Sequence, residues 1–224
     1  MVSDNLKALY EKLPSAVKLV AVSKFHPVSR LMEAYDAGQR LFGENRPQEL
    51  AQKVPQMPSD VEWHFIGHLQ TNKLKLVLPY VSLVQSVDSF HLLEAIDKWG
   101  RENGKTVDVL LELHLGAEET KHGFSEEEIL AVIGAGEGGV KPPLENVRIR
   151  GLMGMATNTE EEGVIEADFA RIEALFQRIR AEHPELRETF TELSIGMSGD
   201  WPIAVRHGAT MVRIGTDIFG EREY

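Results

Sequence analysis

The chain has 224 residues, no cysteine and a formal net charge of −11 at pH 7. The charge argues against nucleic acid as a partner, because phosphate backbones are bound by clustered lysine and arginine. The lack of cysteine excludes disulfides, thiol catalysis and thiolate metal sites. No apolar run approaches the roughly 20 residues that cross a bilayer, and the N-terminus lacks the features of a signal peptide. We therefore expect a cytoplasmic protein without membrane partners, and a monomer is the expected oligomeric state.

The chain reads as strands and helices in alternation. An amphipathic helix opens it at residues 1–13. Eight predicted strands follow, at 19–24, 40–45, 61–67, 81–87, 107–115, 147–157, 193–197 and from Met211 onward. Helical patterns separate nearly all of them, at 29–37, 47–54, 70–78, 91–102, 125–135 and 159–183, with a short helix before the last strand.

This order predicts the fold class. Strands that alternate with helices form a parallel sheet. An open doubly wound sheet usually has five or six strands and carries its phosphate loop after the first. Here there are eight strands and no GxGxxG after the first. We therefore predict α/β architecture as a (β/α)8 TIM barrel with an extra N-terminal helix, in one domain spanning residues 1–224.

Two polar clusters close the last two predicted strands. Ser198-Gly199-Asp200 follows the seventh strand, and Arg213-Ile214-Gly215-Thr216 ends the eighth. Because neighbouring parallel strands end on one face, Ser198, Gly215 and Thr216 could offer hydroxyls and backbone N–H groups to one anion. The pattern indicates a phosphate site, although glycine and serine are also common in ordinary loops.

A lysine, Lys24, ends the otherwise apolar first strand. Alternation places it on the side of Val20 and Val22, facing inward if those residues fill the barrel. A partly desolvated lysine has a lowered pKa and becomes a nucleophile suited to Schiff-base formation; the alternative is a lysine that merely reaches water. Together with a phosphate site, this lysine suggests a phosphorylated aldehyde, of which pyridoxal phosphate is the commonest cofactor.

Two further strand-end residues have open roles. Arg213 faces the same side as Gly215, where it could pair with a phosphate or a ring nitrogen, or form a structural ion pair with Glu112. Asn45 ends the second strand and could simply satisfy the backbone groups of its own turn.

Histidines raise the alternative of a metal-dependent hydrolase, for which His64, Glu112 and His114 would be the ligands. His64 and His68 lie four apart on a strand and turn rather than on a helix, so their spacing does not direct both at one metal. We expect no metal site. Lys121 and His122, after the fifth strand, could be solvated or could provide a second anion contact. The remaining polar strand-end residues are Ser86, Asp88 and Thr157.

Seven segments, in order, resemble the pyridoxal-phosphate homeostasis proteins, single-domain relatives of the alanine racemase barrel. They are AVSK (21–24), AGQRLFGENRPQE (37–49), WHFIGHLQTNK (63–73), SVDS (86–89), RGLMGMAT (150–157), LSIGMSGD (193–200) and MVRIGTDIFGERE (211–223).

The resemblance implies an alanine-racemase-like barrel that binds pyridoxal 5′-phosphate as an aldimine on Lys24. Ser198, Gly215 and Thr216 match the family's phosphate positions, Arg213 matches the arginine near the pyridine nitrogen, and Asn45 lies close to the cofactor in the family. Members influence the cellular supply of the cofactor without an assigned substrate, so PLP-dependent apo-enzymes are the implied partners.

An arginine opposite the ring nitrogen disfavours its protonation and weakens the ring as an electron sink. Alanine racemase adds a second base from a C-terminal domain, whereas this chain ends at Tyr224, soon after the eighth strand. We therefore expect no defined catalytic activity. The alternative is a PLP-dependent amino-acid racemase or lyase.

Overall fold

The computed structural model describes residues 1–116, 122–134 and 144–220. Eight parallel strands close into a barrel in the order β1 to β8. Their bounds are β1 Lys18–Val22, β2 Leu41–Glu44, β3 Glu62–Phe65, β4 Leu83–Val87, β5 Val107–Leu113, β6 Val147–Gly154, β7 Glu192–Ser194 and β8 Met211–Ile214. The predicted (β/α)8 barrel is confirmed. The predicted contact at Lys121 lies outside the described residues.

Nine α-helices are described, and most of them surround the barrel. They are α1 Val2–Tyr10, α2 Val28–Asp36, α3 Pro47–Lys53, α4 Leu74–Val77, α5 Phe90–Asn103, α6 Glu126–Gly134, α7 Glu162–Glu182, α8 Trp201–Arg206 and α9 Thr216–Phe219. The first helix is the predicted extra element and packs against α2 and α9. Among the described residues, no helix combines the length and apolar character that a membrane crossing requires.

The strands divide their side chains between two apolar clusters. Val20, Leu83, Leu110, Met153 and Met211 form a small cluster inside the barrel, separate from the large cluster that the strands share with the helices. Alternation along each strand produces this division, because successive side chains point to opposite faces. Val20 therefore faces the barrel interior, which meets the condition on which the sequence placed Lys24 inward.

Several strands end earlier than predicted, and local contacts explain where. β6 stops at Gly154 because the N–H and hydroxyl of Thr157 both donate to Asp168 Oδ2 on α7, at 2.7 and 2.8 Å. β7 has only three residues, since Gly196 turns the chain with φ +95°. A side chain at Gly196 would place its Cβ 2.7 Å from the Cβ of Ala204 on α8. These turns direct the ends of β6 and β7 away from the sheet.

Candidate functional site

A cavity of about 200 Å³ opens where β1, β7 and β8 end. Five of the six predicted site residues line it: Lys24, Ser198, Arg213, Gly215 and Thr216. The cavity therefore combines an amine, a guanidinium, two hydroxyls and glycine backbone. This set suits a molecule that carries a phosphate, an electrophilic carbon and a ring nitrogen.

The anion side of the cavity is built from two short loops. Met197 N–H donates to Asp200 Oδ1 at 2.5 Å, which shapes the turn carrying Ser198 and Gly199. Asp217 N–H, at the start of α9, lies 3.5 Å from Ser198 Oγ and connects the two loops. A Cβ added at Gly199 would meet no atom within 4 Å, so the cavity has open access to this backbone.

Gly215 forms the tight part of the same wall. A Cβ at Gly215 would lie 3.3 Å from Val22 Cβ and 3.4 Å from Val22 O, closer than most side chains tolerate. Because Gly215 has no side chain, its backbone can pack directly against Val22 of β1. Backbone N–H groups at such a position can approach a phosphate closely.

Arg213 lies on the barrel side of the cavity and is 4% exposed. Its Nη1 donates to Ser194 O at 2.8 Å and to Ser194 Oγ at 2.7 Å, and its Nη2 donates to Gly154 O at 2.9 Å. Burial lowers the pKa of Arg213 to about 10, while the carboxylates of Glu112 and Asp200 oppose that shift. The guanidinium thus stays charged at neutral pH and is held by neutral oxygens rather than by a hydrogen bond to Glu112.

A line of buried hydrogen bonds continues from Arg213 through the barrel. Ser194 Oγ donates to Gln85 Oε1 at 2.6 Å, and Gln85 Nε2 lies 2.8 Å from His64 Nδ1. His64 Nε2 is 3.4 Å from Glu62 Oε1 at the other end of the barrel. The hydrogen bond with His64 lowers the pKa of Glu62 to about 2 despite partial burial. His64 therefore belongs to the barrel interior, directed away from the cavity.

Glu112 is a buried carboxyl in the same end of the barrel as Arg213. Burial raises the pKa of Glu112 from 4.5 to about 7, the charge of Asp88 adds to the rise, and Arg213 opposes it. The group is 6% exposed. The native protein consequently binds this proton more tightly than the unfolded chain does.

We expect Glu112→Gln to change how stability depends on pH. With a raised native pKa, the contribution of this carboxyl to stability is complete below about pH 4 and is lost as pH rises through 7. The variant should exceed the wild type at pH 8 by up to about 3 kcal/mol, and the difference should shrink toward pH 4. Urea unfolding between pH 4 and pH 8 measures this, and parallel pH profiles for the two proteins would contradict it.

Asn45 does not line the cavity. Its backbone N–H donates to Glu44 Oε2 at 3.2 Å, and its carbonyl lies so close to Gly67 that a Cβ there would sit 2.2 Å from it. Within the described residues, its Oδ1 is buried and has no hydrogen-bond partner. A contact between Asn45 and a cofactor stays a prediction, although an acceptor lacking a partner at this depth is compatible with one.

The residues proposed for a metal-dependent hydrolase do not meet. Among the described residues, the one group with metal-ligand proximity is His68, Asp88 and His122. His68 Nδ1 is 2.8 Å from Asp88 Oδ2, and the two imidazoles stack at 4.1 Å with 15° between their planes. The stacked rings lie in two separate, nearly parallel planes, so one ion could not lie in the plane of both, and in this arrangement only His68 is hydrogen-bonded to Asp88.

Sequence reasoning missed some cavity residues. His26 and Met197 line the cavity, and the His26 ring packs 4.8 Å from Phe219 of α9. The available signal was proximity: each lies within two residues of a predicted site residue. Of the other polar strand-end candidates, Ser86 donates to Gly67 O at 2.5 Å and Thr157 is held by Asp168, so both are used structurally.

Comparison with known proteins gives consistent matches over the chain. The family model "Alanine racemase, N-terminal domain" matches residues 1–223. A pyridoxal phosphate homeostasis protein of Haemophilus influenzae is 35% identical, and the alignment covers 100% of this chain and 97% of that relative. An alanine racemase of Corynebacterium glutamicum is 14% identical with a TM-score of 0.75, over 99% of this chain and 61% of that one, and shows the fold alone.

Solved structures of PipY from Synechococcus elongatus are also similar. PipY without PLP is 37% identical and superposes with a TM-score of 0.90, over 98% of this chain and 100% of that one. PipY with PLP bound has the same identity and coverage and a TM-score of 0.86. The resemblance seen in the seven sequence segments is thereby confirmed: the chain belongs to the pyridoxal phosphate homeostasis protein family.

Proposed function

We propose that this protein binds pyridoxal 5′-phosphate and takes part in its homeostasis, with Lys24 as the covalent anchor. The observation that carries the proposal is the single cavity that collects Lys24, Arg213, Ser198, Gly215 and Thr216. In that cavity Ser198, Gly215 and Thr216 would hold the phosphate, and Arg213 would face the ring nitrogen. The structure of the relative PipY with PLP bound supports PLP as the ligand.

Each residue has a defined physical task in this proposal. The half-buried Lys24 would supply the amine for a C=N bond to the aldehyde carbon. Arg213 would place a fixed positive charge near the ring nitrogen and would disfavour a proton there. When bound, the cofactor supplies an electrophilic carbon and an electron-withdrawing ring. Without a protonated ring nitrogen that withdrawal is weak, so the geometry favours holding the cofactor over transforming amino acids with it.

The direct test is an absorbance spectrum of the purified protein after incubation with PLP and removal of the excess. We expect a visible band from the C=N bond, its loss after borohydride, and a reduced adduct on the peptide that contains Lys24. A protein that retains no chromophore would overturn the proposal. A band insensitive to borohydride would show that the cofactor is bound without the covalent link.

We expect no racemisation of common amino acids at ordinary enzyme rates. Arg213 weakens the ring as an electron sink, and racemisation usually calls for acid–base groups on both faces of the substrate. Solvent deuterium exchange of L-alanine and chiral analysis measure this. Inversion at about 1 s⁻¹ or faster, lost in Lys24→Ala, would favour the racemase or lyase alternative instead.

We further propose that the protein acts as a cytoplasmic monomer that exchanges PLP with PLP-dependent apo-enzymes. The small open cavity supports the exchange, because the cofactor would stay accessible from solvent. Transfer to an apo-enzyme, followed by recovery of that enzyme's activity, tests the exchange. Light scattering of the purified protein tests the monomer.

A further inference from the structure

A second lysine, more deeply buried than Lys24, lies behind the turn after β1 that carries Lys24. Lys53, the last residue of α3, is 7% exposed, which is rare for lysine. Its ammonium contacts three oxygens: Ser23 O at 2.8 Å, Glu44 Oε1 at 2.5 Å and Glu49 Oε2 at 3.0 Å. An ammonium has three protons, so each of them has an acceptor. We call Glu44, Lys53 and Glu49 the ion triad.

The ion triad holds the backbone on both sides of Lys24. On one side, Ser23 is fixed twice: its carbonyl accepts from Lys53, and its hydroxyl donates to Glu44 Oε1 at 2.7 Å. On the other side, Phe25 N–H donates to Glu49 Oε2 at 2.9 Å. The residue that carries the amine is therefore flanked by two anchored neighbours.

The turn between these anchors is strained. Phe25 has φ +67°, the only positive φ outside glycine among the described residues. A residue with a side chain pays about 1 kcal/mol or more in this region, and such a conformation persists only when its surroundings impose it. The start of α3 adds a further restraint, because the Arg46 guanidinium lies 4.2 Å from the centre of the Phe25 ring.

Global stability alone does not account for the ion triad. Burial raises the pKa of Glu44, although Lys53 and Ser23 both favour its charged form. Partial burial opposes ionisation of Glu49 as well, but Phe25 N–H and Lys53 together keep its pKa below the usual value. Buried ion pairs of this kind are often replaced as a unit by neutral groups at little cost in stability. The larger expected effect is on the shape of the turn.

We propose that the ion triad positions Lys24 for covalent capture of the cofactor by fixing Ser23 and Phe25. The inference rests on the proposed function. In the step concerned, Lys24 Nζ adds to the aldehyde carbon, a C=N bond replaces C=O, and the oxygen leaves as water without any redox change. The rate of such a step is sensitive to small displacements of the reacting amine.

The test compares Glu49→Ala, and the neutral double variant Glu44→Gln/Lys53→Met, with the control Glu182→Ala. Glu182 accepts from Arg178 in an exposed helical pair on α7, so the control removes an ion pair of the same i,i+4 type far from the turn. Three quantities are measured on full-length protein: the rate of appearance of the covalent band with PLP, the Kd for pyridoxine 5′-phosphate, which has no aldehyde, and hydrogen exchange in residues 23–27.

In both test variants we expect the covalent rate to fall about tenfold or more, with faster exchange in residues 23–27. The Kd for pyridoxine 5′-phosphate should stay near the wild-type value, because the phosphate wall is untouched. Wild-type covalent rates in the folded variants would overturn the proposal. An equal loss in the rate and in the Kd would overturn it too, since the triad would then support the whole cavity.

Two outcomes separate this proposal from its premise. If the wild type itself forms no covalent band, the proposed function fails, and hydrogen exchange in residues 23–27 of the ligand-free variants still decides whether the triad fixes the turn. If the double variant does not fold, Glu49→Ala decides alone, because it removes only the partly exposed member of the triad.

Discussion

Lys24→Ala is expected to abolish the covalent PLP band completely while the protein stays folded. The side chain lies in a turn after β1 and is only partly buried, so its removal leaves no cavity in either apolar cluster. The non-covalent contacts of the phosphate wall remain, and some PLP should still bind reversibly. Absorbance before and after borohydride, with an unfolding curve for each protein, measures both parts of the expectation.

Lys98→Ala is a suitable control for Lys24→Ala, because Lys98 lies on α5 with an exposed partner, Glu102, 3.9 Å away. It should keep the wild-type band. Lys53 should not replace Lys24 as the attachment site, because its buried ammonium donates all three of its protons to oxygens of the protein. A borohydride-reducible adduct on another lysine of the Lys24→Ala protein would therefore contradict the assignment of Lys24.

The topology was predictable from sequence because it follows from local periodicity. Alternating strand and helix patterns, counted to eight, allow few arrangements other than a closed parallel barrel. The same logic placed Ser198 and Thr216 together, because parallel neighbours end on one face. Lys24 was placed correctly in the cavity although β1 ends two residues before it.

The buried polar contacts were not predictable, because they join residues that are distant in sequence. Nothing local to Lys53 indicates that its amine reaches Ser23, 30 residues away. The stack of His68 on His122 likewise depends on how the loops after β3 and β5 meet. Sequence spacing argued against a metal shared by His64 and His68, but it could not show that His64 points into the barrel.

The strand ends were predicted less well for a related reason. Residues 155–157 continue the apolar pattern of β6, yet the hydrogen bonds of Thr157 to Asp168 divert the chain toward α7. A periodic pattern records which side chains are buried, whereas the end of a strand depends on the competing hydrogen bonds that its last residues find. The sequence also could not show that Asn45 Oδ1 would be buried without a hydrogen-bond partner in the described structure.

The double variant Ser198→Ala/Thr216→Val should weaken PLP binding strongly and leave covalent attachment possible at high PLP. A hydrogen bond to a charged group is worth about 1.5–3 kcal/mol, or about one to two decades in affinity for each hydroxyl. Both hydroxyls would contact one phosphate, so their effects need not add. We expect a combined loss of about a hundredfold or more in affinity.

Pyridoxal, which has the aldehyde and ring but no phosphate, distinguishes this mechanism from general damage to the cavity. The double variant should bind pyridoxal as the wild type does, so that its loss of affinity is confined to the phosphorylated form. Ser82→Ala, whose hydroxyl donates to Glu62 at the opposite end of the barrel, is the matched control and should bind PLP normally. Unchanged PLP affinity in the double variant would place the phosphate elsewhere. An equal loss for PLP and pyridoxal would mean that Ser198 and Thr216 shape the cavity rather than bind the anion.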